Sequence, residues 1–365
     1  MVCGPRPVAV RRQLALSSAA GDVAKALTTR TAMETMAEHR THVLPYRDRS
    51  RWLGAIGALL LLIGGGCALL GPVELYSFYL FSEGGRFHYP GFGFGSFMFA
   101  VIAIQILGYY VIAAVCVPLG VGHLRLRRWA RRIALAGLGF WLAAGIPLVL
   151  VFLAMFAVFK DPSLTTMLLA LPLLLLLYPV LPILLALFYR SHDVARTFDA
   201  ADPQPHWTEA LPLRLLVLCQ LYAFFMLVIH SMVLFQGAFP LFGLLVTGLP
   251  GFVLIAVAMA CLALLIWGTL QRQLWAWWGG LACFALAIIS LPWTFARLSW
   301  TEILASQAFA PLEIEALSGI PISGWHIAVF FAPPLLATLG LLLASRRHFG
   351  SRTQDYPTRQ RSEQQ

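Results

Sequence analysis

Residues 165–189 read TTMLLALPLLLLLYPVLPILLALFY, a stretch of 25 residues without a charged side chain. An uncharged apolar block longer than about 18 residues is a candidate membrane span. Inside a bilayer the backbone has no water to bond, so a continuous block of this kind favours a helix. A transmembrane β-barrel would instead show short segments of alternating polarity. The stretch therefore predicts a helical membrane protein.

The composition of the whole chain agrees with this prediction. Of its 365 residues, 59% are hydrophobic and 12% are charged, and this charged share is about half that of a soluble domain. We predict an all-α membrane protein with about eight transmembrane helices, because eight blocks are long enough to cross a hydrocarbon core about 30 Å thick. The predicted spans are 52–71, 95–118, 133–158, 165–189, 213–236, 244–268, 278–299 and 326–345.

The basic residues predict the orientation of these spans. Of the 26 Lys and Arg, 23 fall in the segments on one side of the membrane and 3 on the other. Cytoplasmic segments carry the excess of basic residues, so both termini are predicted to be cytoplasmic, in the inner membrane of a bacterium. The net charge of +10 follows from this topology, and no nucleic-acid partner is indicated. Membrane lipids are the expected partners, and a homo-oligomer is left open.

The chain carries no motif of a metal site or of a known enzyme class. Five of its six cysteines lie within predicted spans, and no CxxC pair occurs. Buried thiols are therefore favoured over a disulfide framework, a zinc site or a redox site. The patterns GxSxG, HExxH and the P-loop are also missing from the sequence. We expect no metal and no cofactor, and enzyme activity is not indicated.

The spans divide the chain into two halves joined by a polar linker. Residues 1–50 carry no apolar block, and three interpretations stay open: a disordered tail, the product of a start codon assigned too early, or an organelle-targeting peptide. The predicted segments are a cytoplasmic tail 1–50, a first four-helix repeat 51–190, a linker 191–212 with a short interfacial helix, a second four-helix repeat 213–345 and a basic cytoplasmic tail 346–365.

Two pairs of similar segments indicate that the halves are repeats. GHLRLRRWA at 122–130 matches GTLQRQLWA at 268–276 in Gly, Leu, Trp and Ala, at an offset of 146 residues. RSHDVART at 190–197 matches RRHFGSRT at 346–353 at an offset of 156. Because four spans per unit keep both copies in one orientation, we predict two parallel four-helix repeats related by a pseudo-twofold axis along the membrane normal.

Tryptophan and proline positions support the same pairing. Trp129 and Trp275 are expected at equivalent edges of the membrane. Pro147 and Pro292 lie near the middle of the third helix of each half, and each fourth helix also contains proline. Corresponding interrupted helices point to a binding site in repeat transporters, although membrane helices are generally rich in proline. The fourth-helix prolines are Pro172, Pro179, Pro182, Pro333 and Pro334.

The stretch SEGGRFHYPGFGFGSF at 82–97 lies between the first two spans, on the face predicted to be non-cytoplasmic. It lacks the GxGxxG and GxxxxGK patterns of phosphate-binding loops. Aromatic rings favour the headgroup level, so a loop lying in the outer interface is the simplest interpretation. The functional interpretation is an aromatic lid, in which Phe92 and Phe94 hold a lipid or other amphipathic molecule while Arg86 or His88 meets its polar head.

Two further predictions concern the neighbourhood of this loop. Phe97 is expected to insert at headgroup depth together with the loop rings. Alternatively, Glu74 and Glu83 join Arg86 and His88 in an active site on the outer face. Carboxylates and an imidazole are the usual general acids and bases, so this alternative would make the protein an outer-face membrane enzyme.

The predicted membrane interior contains three strongly polar residues. Asp, Glu, Lys and Arg are missing from the middle of the spans, whereas ion-coupled transporters keep such groups there. Gln105 and Gln220 are expected to form hydrogen bonds between helices. His230 could bind, ligate or titrate, although a packed and satisfied histidine is favoured. All three are retained as candidate ligand-binding residues.

The linker carries residue types that bind metals, but their spacing matches no known site. The simpler prediction is a short interfacial helix that Ser191 caps and that ends before Pro203. Val194 and Phe198 would face lipid on this helix. The histidines and aspartates of the linker are His192, Asp193, Asp199, Asp202 and His206.

The segments PLGVGHLRLRRWARR and FYRSHDVARTF resemble juxtamembrane segments of uncharacterised bacterial multi-span membrane proteins. The resemblance covers two short loops and implies no activity. The leading functional hypothesis is therefore general: a membrane protein that binds or moves an amphipathic or lipid-like molecule. A structural or scaffolding membrane subunit is the first alternative, and an outer-face enzyme is the second.

Overall fold

The computed structural model describes residues 46–158, 164–307, 309, 311–319 and 323–350. It is 81% helical, and its described residues from Asp48 onward belong to one compact unit. Most of the predicted tail 1–50, and the predicted C-terminal tail after residue 350, lie outside the described residues.

The secondary structure is almost entirely α-helical. The helices of the described chain are α1 (Ser50–Phe81), α2 (Phe97–Leu124), α3 (Arg128–Val158), α4 (Leu164–Leu175), α5 (Leu181–Arg190), α6 (His192–Ala201), α7 (Trp207–Ala210), α8 (Leu213–Ser231), α9 (Gly248–Leu270), α10 (Leu274–Arg297), α11 (Trp300–Ala305), α12 (Pro311–Ser318) and α13 (Gly324–Ala344). A π-helical turn (Leu176–Val180), two 3-10 turns (Met232–Phe235 and Arg346–His348) and an antiparallel hairpin of β1 (Phe239–Leu241) and β2 (Leu244–Val246) complete the fold.

Seven helical segments among the described residues are long and apolar enough to cross a membrane. They confirm an all-α, multi-pass membrane protein. The third predicted span, 133–158, falls in the 31-residue helix α3, which is not one of the seven, so the count of eight remains a prediction. The seven segments are Ser50–Phe81, Phe97–Leu124, Leu169–Arg190, Leu213–Phe235, Gly248–Leu270, Leu274–Arg297 and Gly324–Ala344.

Two sides of the helical array can be named from its connections. We call the side where 125–127, 191–212 and 271–273 join the helices the turn side. The opposite side, with the loop 82–96 and the connections 236–247 and 298–323, is the loop side. The positive-inside rule predicts that the turn side is cytoplasmic.

Helices α1 and α2 form a closely packed antiparallel pair. A Cβ atom on Gly64 would lie 2.8 Å from Val117, and one on Gly71 would lie 2.8 Å from the Tyr110 ring. One on Gly57 would meet the opposite backbone at 3.0 Å. A seven-residue spacing puts these three glycines on one face of α1, and small residues let membrane helices approach closely. We call this row of glycines the glycine seam.

The second half packs around a shared core of large side chains. Helices α8, α9, α10 and α13 surround it, each packing on its neighbours. The Tyr222 and Phe284 rings stack with centroids 5.4 Å apart. The buried residues of this core are Leu215, Leu218, Tyr222, Phe225, Leu262, Leu265, Ala276, Trp277, Phe284, Leu335, Leu342 and Phe349.

Helix α3 joins the two halves. It packs on α5 of its own half, and also on α8 and α13 of the other half. A Cβ atom on Gly139 would lie 2.7 Å from Val217 of α8. In a twofold arrangement α10 would make the matching contacts with α1 and α5, but it packs mainly on α13, α9 and β1 instead. The predicted pseudo-twofold relation therefore remains a prediction, and the contacts of α3 are not repeated by α10.

The two turns that carry the similar segments adopt the same geometry at the predicted offset of 146. The middle residue of each has a left-handed backbone, with φ 48° at Leu126 and φ 54° at Arg272. The following N–H groups donate to the glycine carbonyls at the helix ends, in both turns at 2.8 Å. Those two hydrogen bonds are Arg127 to Gly122 and Gln273 to Gly268.

The tryptophans of these turns make matching local contacts, and their equivalent membrane-edge positions stay a prediction. A Cβ atom on Gly122 would lie 3.0 Å from the Trp129 indole, and one on Gly268 would lie 2.6 Å from the Trp275 indole. Each indole thus covers a glycine at the end of the preceding helix. The local match is close, although it concerns one turn in each half.

The linker helix is predicted correctly in position and wrongly in orientation. Ser191 caps α6 by accepting a hydrogen bond from the Val194 N–H at 3.4 Å. Val194 and Phe198 do not face lipid: both are fully buried in a cluster with Leu53 and Tyr189. The apolar face of this short helix covers protein because the ends of α1, α3 and α5 meet beneath it.

Three other elements depart from the predicted spans. Helix α1 continues through Pro72 to Phe81, ten residues past the predicted end. The fourth span is interrupted at Pro179 by the π-helical turn, as its prolines predict, whereas α13 runs unbroken through Pro333 and Pro334, so the break predicted there is wrong. The hairpin β1–β2 was not predicted. Its tip donates backbone hydrogen bonds to Ser290 and Thr294 of α10, each at 2.9 Å.

Candidate functional site

The loop 82–96 folds back onto the end of α1. The Phe87 N–H donates to the Leu80 carbonyl at 2.9 Å, and the Tyr89 N–H donates to the Phe81 carbonyl at 3.4 Å. The lengthening of α1 to Phe81 is what supplies these carbonyls, because the last carbonyls of a helix have no partner within it. The loop is thereby attached to the helix end by its own backbone.

Glu83 fixes the middle of the loop. Its carboxylate accepts a hydrogen bond from the Gly91 N–H at 2.6 Å, and its own N–H donates to the Phe92 carbonyl at 3.1 Å. Gly91 and Gly95 take left-handed φ values of 82° and 87°, which glycine adopts without a steric penalty. The Glu83 carboxylate therefore holds the loop backbone.

The rings of the loop form two groups. Phe78 is buried at the centre of the first, with Phe92 at 5.4 Å and Phe94 at 6.2 Å between ring centroids. In the second, Phe87 stacks on Phe81 at 5.0 Å. Phe92 is half-buried, whereas 87% of Phe94 is exposed. The loop thus presents an exposed aromatic surface that rests on α1.

The polar candidates of this region fall in two places. Arg86 and His88 are exposed on the loop, and His88 has a left-handed backbone with φ 47°. No described residue forms a hydrogen bond or an ion pair with either side chain. Glu74 is half-buried on α1, two turns before the helix ends, and the structure does not gather it with Arg86 and His88.

Phe97 does not belong to the loop surface. It is the first residue of α2, and its ring packs edge-on against the buried Phe309 at 5.6 Å and lies 6.4 Å from Phe235. Glu313 accepts a hydrogen bond from the Phe97 N–H at 3.2 Å. These contacts join the halves on the loop side, so the Phe97 ring packs on protein, and its depth in the membrane stays a prediction. No local pattern around Phe309 signals this contact.

The three polar residues of the spans are not brought together. The Gln105 amide donates to the Tyr109 hydroxyl of its own helix at 2.6 Å, so its predicted bond between helices is wrong. The Gln220 Oε1 atom is buried and has no hydrogen-bond partner in the described chain. His230 is exposed in the last turn of α8. Gln105 lies near the loop side and Gln220 near the turn side, at different depths.

A buried histidine that the sequence did not single out lies on the turn side. His123 is fully buried. Its Nδ1 lies 2.7 Å from the Leu119 carbonyl and its Nε2 lies 2.6 Å from the Tyr189 hydroxyl. Because a carbonyl only accepts, the assigned neutral tautomer carries its proton on Nδ1 and accepts from Tyr189. The two segments that resemble other membrane proteins meet in this contact, which holds the first half together.

The linker carboxylates form ion pairs with arginines. Glu209 binds Arg128 in a fork, with both nitrogen–oxygen distances at 2.8 Å. Asp199 lies 3.2 Å from Arg128, and Asp202 lies 3.6 Å from Arg127. On the same side, Asp193 lies 3.4 Å from Arg49. The three aspartates, which the sequence offers as possible metal ligands, and Glu209 thus all pair with arginines.

Comparison with known proteins adds no functional assignment. No family model, no curated protein and no solved structure matches this chain. Function is therefore argued from the chain's own side chains. The preorganised loop with its free Arg86 and His88 is the feature that best fits a ligand on the loop side.

Proposed function

We propose that this multi-pass membrane protein binds an amphipathic, lipid-like molecule on its loop side. The polar head lies against Arg86 and His88, and the apolar part lies along the exposed rings of the loop. One observation carries the proposal: Arg86 and His88, both exposed and without a partner among the described residues, stand on a loop whose backbone is already fixed.

The fixed backbone matters because binding a mobile loop costs ordering free energy. Glu83 and the end of α1 hold the loop through hydrogen bonds that do not involve Arg86 or His88. A ligand therefore meets a preformed surface, and little binding energy is lost in ordering it. Phe87, Tyr89 and Phe94 are 53%, 54% and 87% exposed. Aromatic rings of this kind favour the headgroup level of a bilayer.

The proposal includes an orientation and a repeat. Eight spans, with α3 as the third, place both termini in the cytoplasm and the loop 82–96 outside the inner membrane of a bacterium. The matching turns at Leu126 and Arg272 support the two parallel four-helix units of the proposal. Corresponding helices in two such units could move a ligand between leaflets. Membrane lipids are the proposed partners.

A scaffolding role is the second candidate, and one observation favours it. Gln105 is exposed on α2, where it donates to the hydroxyl of the half-buried Tyr109. Polar side chains on a membrane helix are favourable where another helix covers them. A second membrane subunit or a second copy of this chain could supply that helix. An outer-face enzyme has less support, because Glu83 is engaged with the loop backbone.

The lipids that copurify with the full chain test the main proposal. In the variant Arg86→Gln with His88→Asn, native mass spectrometry should show at least about a threefold loss of the bound amphipath, since a charge-assisted hydrogen bond is removed. The matched control, Arg196→Gln with His192→Asn, removes the same groups from the turn side, where Arg196 donates to His192. Unchanged lipids in a folded loop variant would overturn the proposal. Loss of a protein partner on mutating Gln105 alone would favour the scaffold.

A further inference from the structure

An open pocket lies on the turn side of the second half, away from the loop. Its volume is about 490 Å³. It is located between the start of α10 and the end of α13, where both helices end on the turn side. Apolar and cationic side chains share its wall. The lining residues are Leu274, Leu343, Ala344, Arg346, Arg347 and Phe349.

The two arginines of the pocket are placed in different ways. Arg346 is held over Trp277, with its guanidinium carbon 5.3 Å from the ring centroid, and a cation over an indole face is stabilised by the ring electrons. Arg347 is exposed beside it. Since a guanidinium presents its N–H donors in a flat fork, two adjacent ones suit the oxygens of a phosphate.

Two further arginines lie close to the same spot. Burial, followed by the positive charges of Arg347, Arg214 and Arg272, lowers the pKa of His348. Arg214 donates to the Ala344 carbonyl at 3.2 Å. Arg272 donates to the Ala210 carbonyl, and its Nε atom is buried without a partner. A buried donor without an acceptor is unfavourable, so this cationic group lacks a counter-group.

The second half has no acid on this side to neutralise these charges. Between residues 210 and 350 the acidic residues are Glu302, Glu313 and Glu315, and all three lie in the loop-side connection. No described ion pair involves Arg214, Arg272 or the two pocket arginines. The described residues therefore supply no counter-charge to the two exposed arginines of the pocket.

We propose that this pocket binds the phosphate headgroup of an anionic phospholipid from the surrounding leaflet. Arg346 and Arg347 contact the phosphate, while Leu274 and Leu343, which are 45% and 52% exposed, lie against the acyl chains. The apolar wall favours a lipid over free phosphate, because a soluble ion would gain nothing from it. Anionic lipids are enriched in the cytoplasmic leaflet and favour basic pockets between membrane helices. The site is separate from the loop-side proposal.

Lipid titration of the detergent-solubilised full chain tests the site. Native mass spectrometry should detect a bound dioleoyl phosphatidic acid in preference to dioleoyl phosphatidylcholine. Arg346→Gln with Arg347→Gln should weaken that binding about tenfold or more, because each basic group near an anionic headgroup contributes on this scale. The matched control is Arg125→Gln with Arg196→Gln, which removes two exposed charges from the turn side of the first half. It should change affinity less than about twofold.

A second variant keeps every charge. Ala344 is exposed and lines the pocket, so Ala344→Trp should fill the cavity and weaken lipid binding without unfolding the protein. Equal losses in the pocket and control variants, or no loss in either pocket variant, would overturn the site. Inorganic phosphate is the competing ligand: if it binds as tightly as phosphatidic acid and displaces it, the lipid assignment is wrong.

Discussion

The turn sides of the two halves share a backbone turn and differ in what covers it. In the first half, Arg128 lies at the start of α3 and donates two hydrogen bonds to the Glu209 carboxylate of the linker. At the matching position in the second half, offset by 146 residues, stands Leu274, which lines the pocket. An arginine that binds the protein's own acid is thus replaced by an apolar wall beside two free arginines. The same turn geometry therefore accompanies an ion pair within the protein in the first half. In the second half it accompanies a pocket that is proposed to bind an anion from outside the chain.

The halves also differ in how their first two helices pack. The pair α1–α2 is held by the glycine seam, whereas α8 and α9 meet through large core side chains such as Leu218 and Leu262. Close backbone contact tolerates little added volume, while a core of large side chains can adjust rotamers. The first half should therefore be the more sensitive to substitutions that enlarge a side chain.

The largest expected effect comes from filling the glycine seam. Gly64→Leu would place its Cβ 3.1 Å from the Val117 backbone nitrogen, so we expect a loss of about 3 kcal/mol in the free energy of unfolding. Thermal scanning in detergent measures the change. Gly65→Leu is the control, because a Cβ there meets nothing within 4 Å. Equal effects at both positions would mean that the seam does not limit packing.

Removing the ion pairs of Arg128 with Glu209 and Asp199 should have the next largest effect. Arg128→Met leaves Glu209 and Asp199 without their partner, and we expect a loss of about 2 kcal/mol. Arg214→Met in the second half removes one donor to a backbone carbonyl and should cost well under 1 kcal/mol. Urea or thermal unfolding of both variants would decide. If both variants lost a similar free energy of unfolding, the turn sides of the two halves would not differ in how strongly arginines stabilise them.

A smaller effect is expected at the buried histidine. Tyr189→Phe removes the donor to His123 Nε2 and should cost about 1–2 kcal/mol, since a buried acceptor then has no partner. In the second half the matching position, at an offset of 156, is Ser345, which bonds only the Leu341 carbonyl of its own helix. Ser345→Ala should therefore be the milder change. Melting temperatures of the two variants provide the comparison.

The smallest effect concerns pH. Burial and nearby arginines lower the pKa of His348, so its charged form is disfavoured while the pocket is empty. A bound anion opposes those arginine charges and raises the pKa of His348. By linkage, the protonated protein then binds lipid more tightly, and affinity for an anionic lipid that does not itself titrate, phosphatidylglycerol, should rise as pH falls below the usual histidine pKa of about 6.5.

This pH dependence can be checked with one substitution. In the parent chain, lipid affinity should rise about twofold to threefold as the pH falls through this range. In the variant His348→Gln this rise should be lost. Lipid titrations at several pH values, with phosphatidylglycerol used because its phosphodiester does not titrate in this range, separate the protein's proton from the lipid's. An unaltered profile in the variant would show that His348 does not face the bound headgroup.

The fold class could be predicted from the sequence because the apolar blocks are long and uncharged. Helix ends were less accessible: the first span was predicted to end at residue 71, but α1 continues through Pro72 to Phe81, since a proline removes only one hydrogen bond from a helix otherwise stabilised by lipid. Ser191 correctly marked the start of α6. The apolar face of α6 could have packed against either lipid or protein, and the sequence does not distinguish the two. In the structure Val194 is buried against protein.

The candidate sites show a similar division. Arg86 and His88 could be selected because they are isolated polar residues in an aromatic loop. The contact between His123 and Tyr189 could not, since 66 residues separate the partners. The pocket at Arg346 depends on where α10 and α13 end in space, and a pair of arginines after a span ordinarily indicates topology alone.

The contacts of α3 have a consequence for how the chain assembles during synthesis. Helix α3 is synthesised long before α8 and α13, yet it packs on both. Until they are made, the surface around Gly139 that meets Val217 remains open. A nascent chain released after the linker would therefore carry an uncovered helix face, a feature that quality-control proteases can recognise. The boundary between the two similar sequences is thus not a boundary between two units that mature separately.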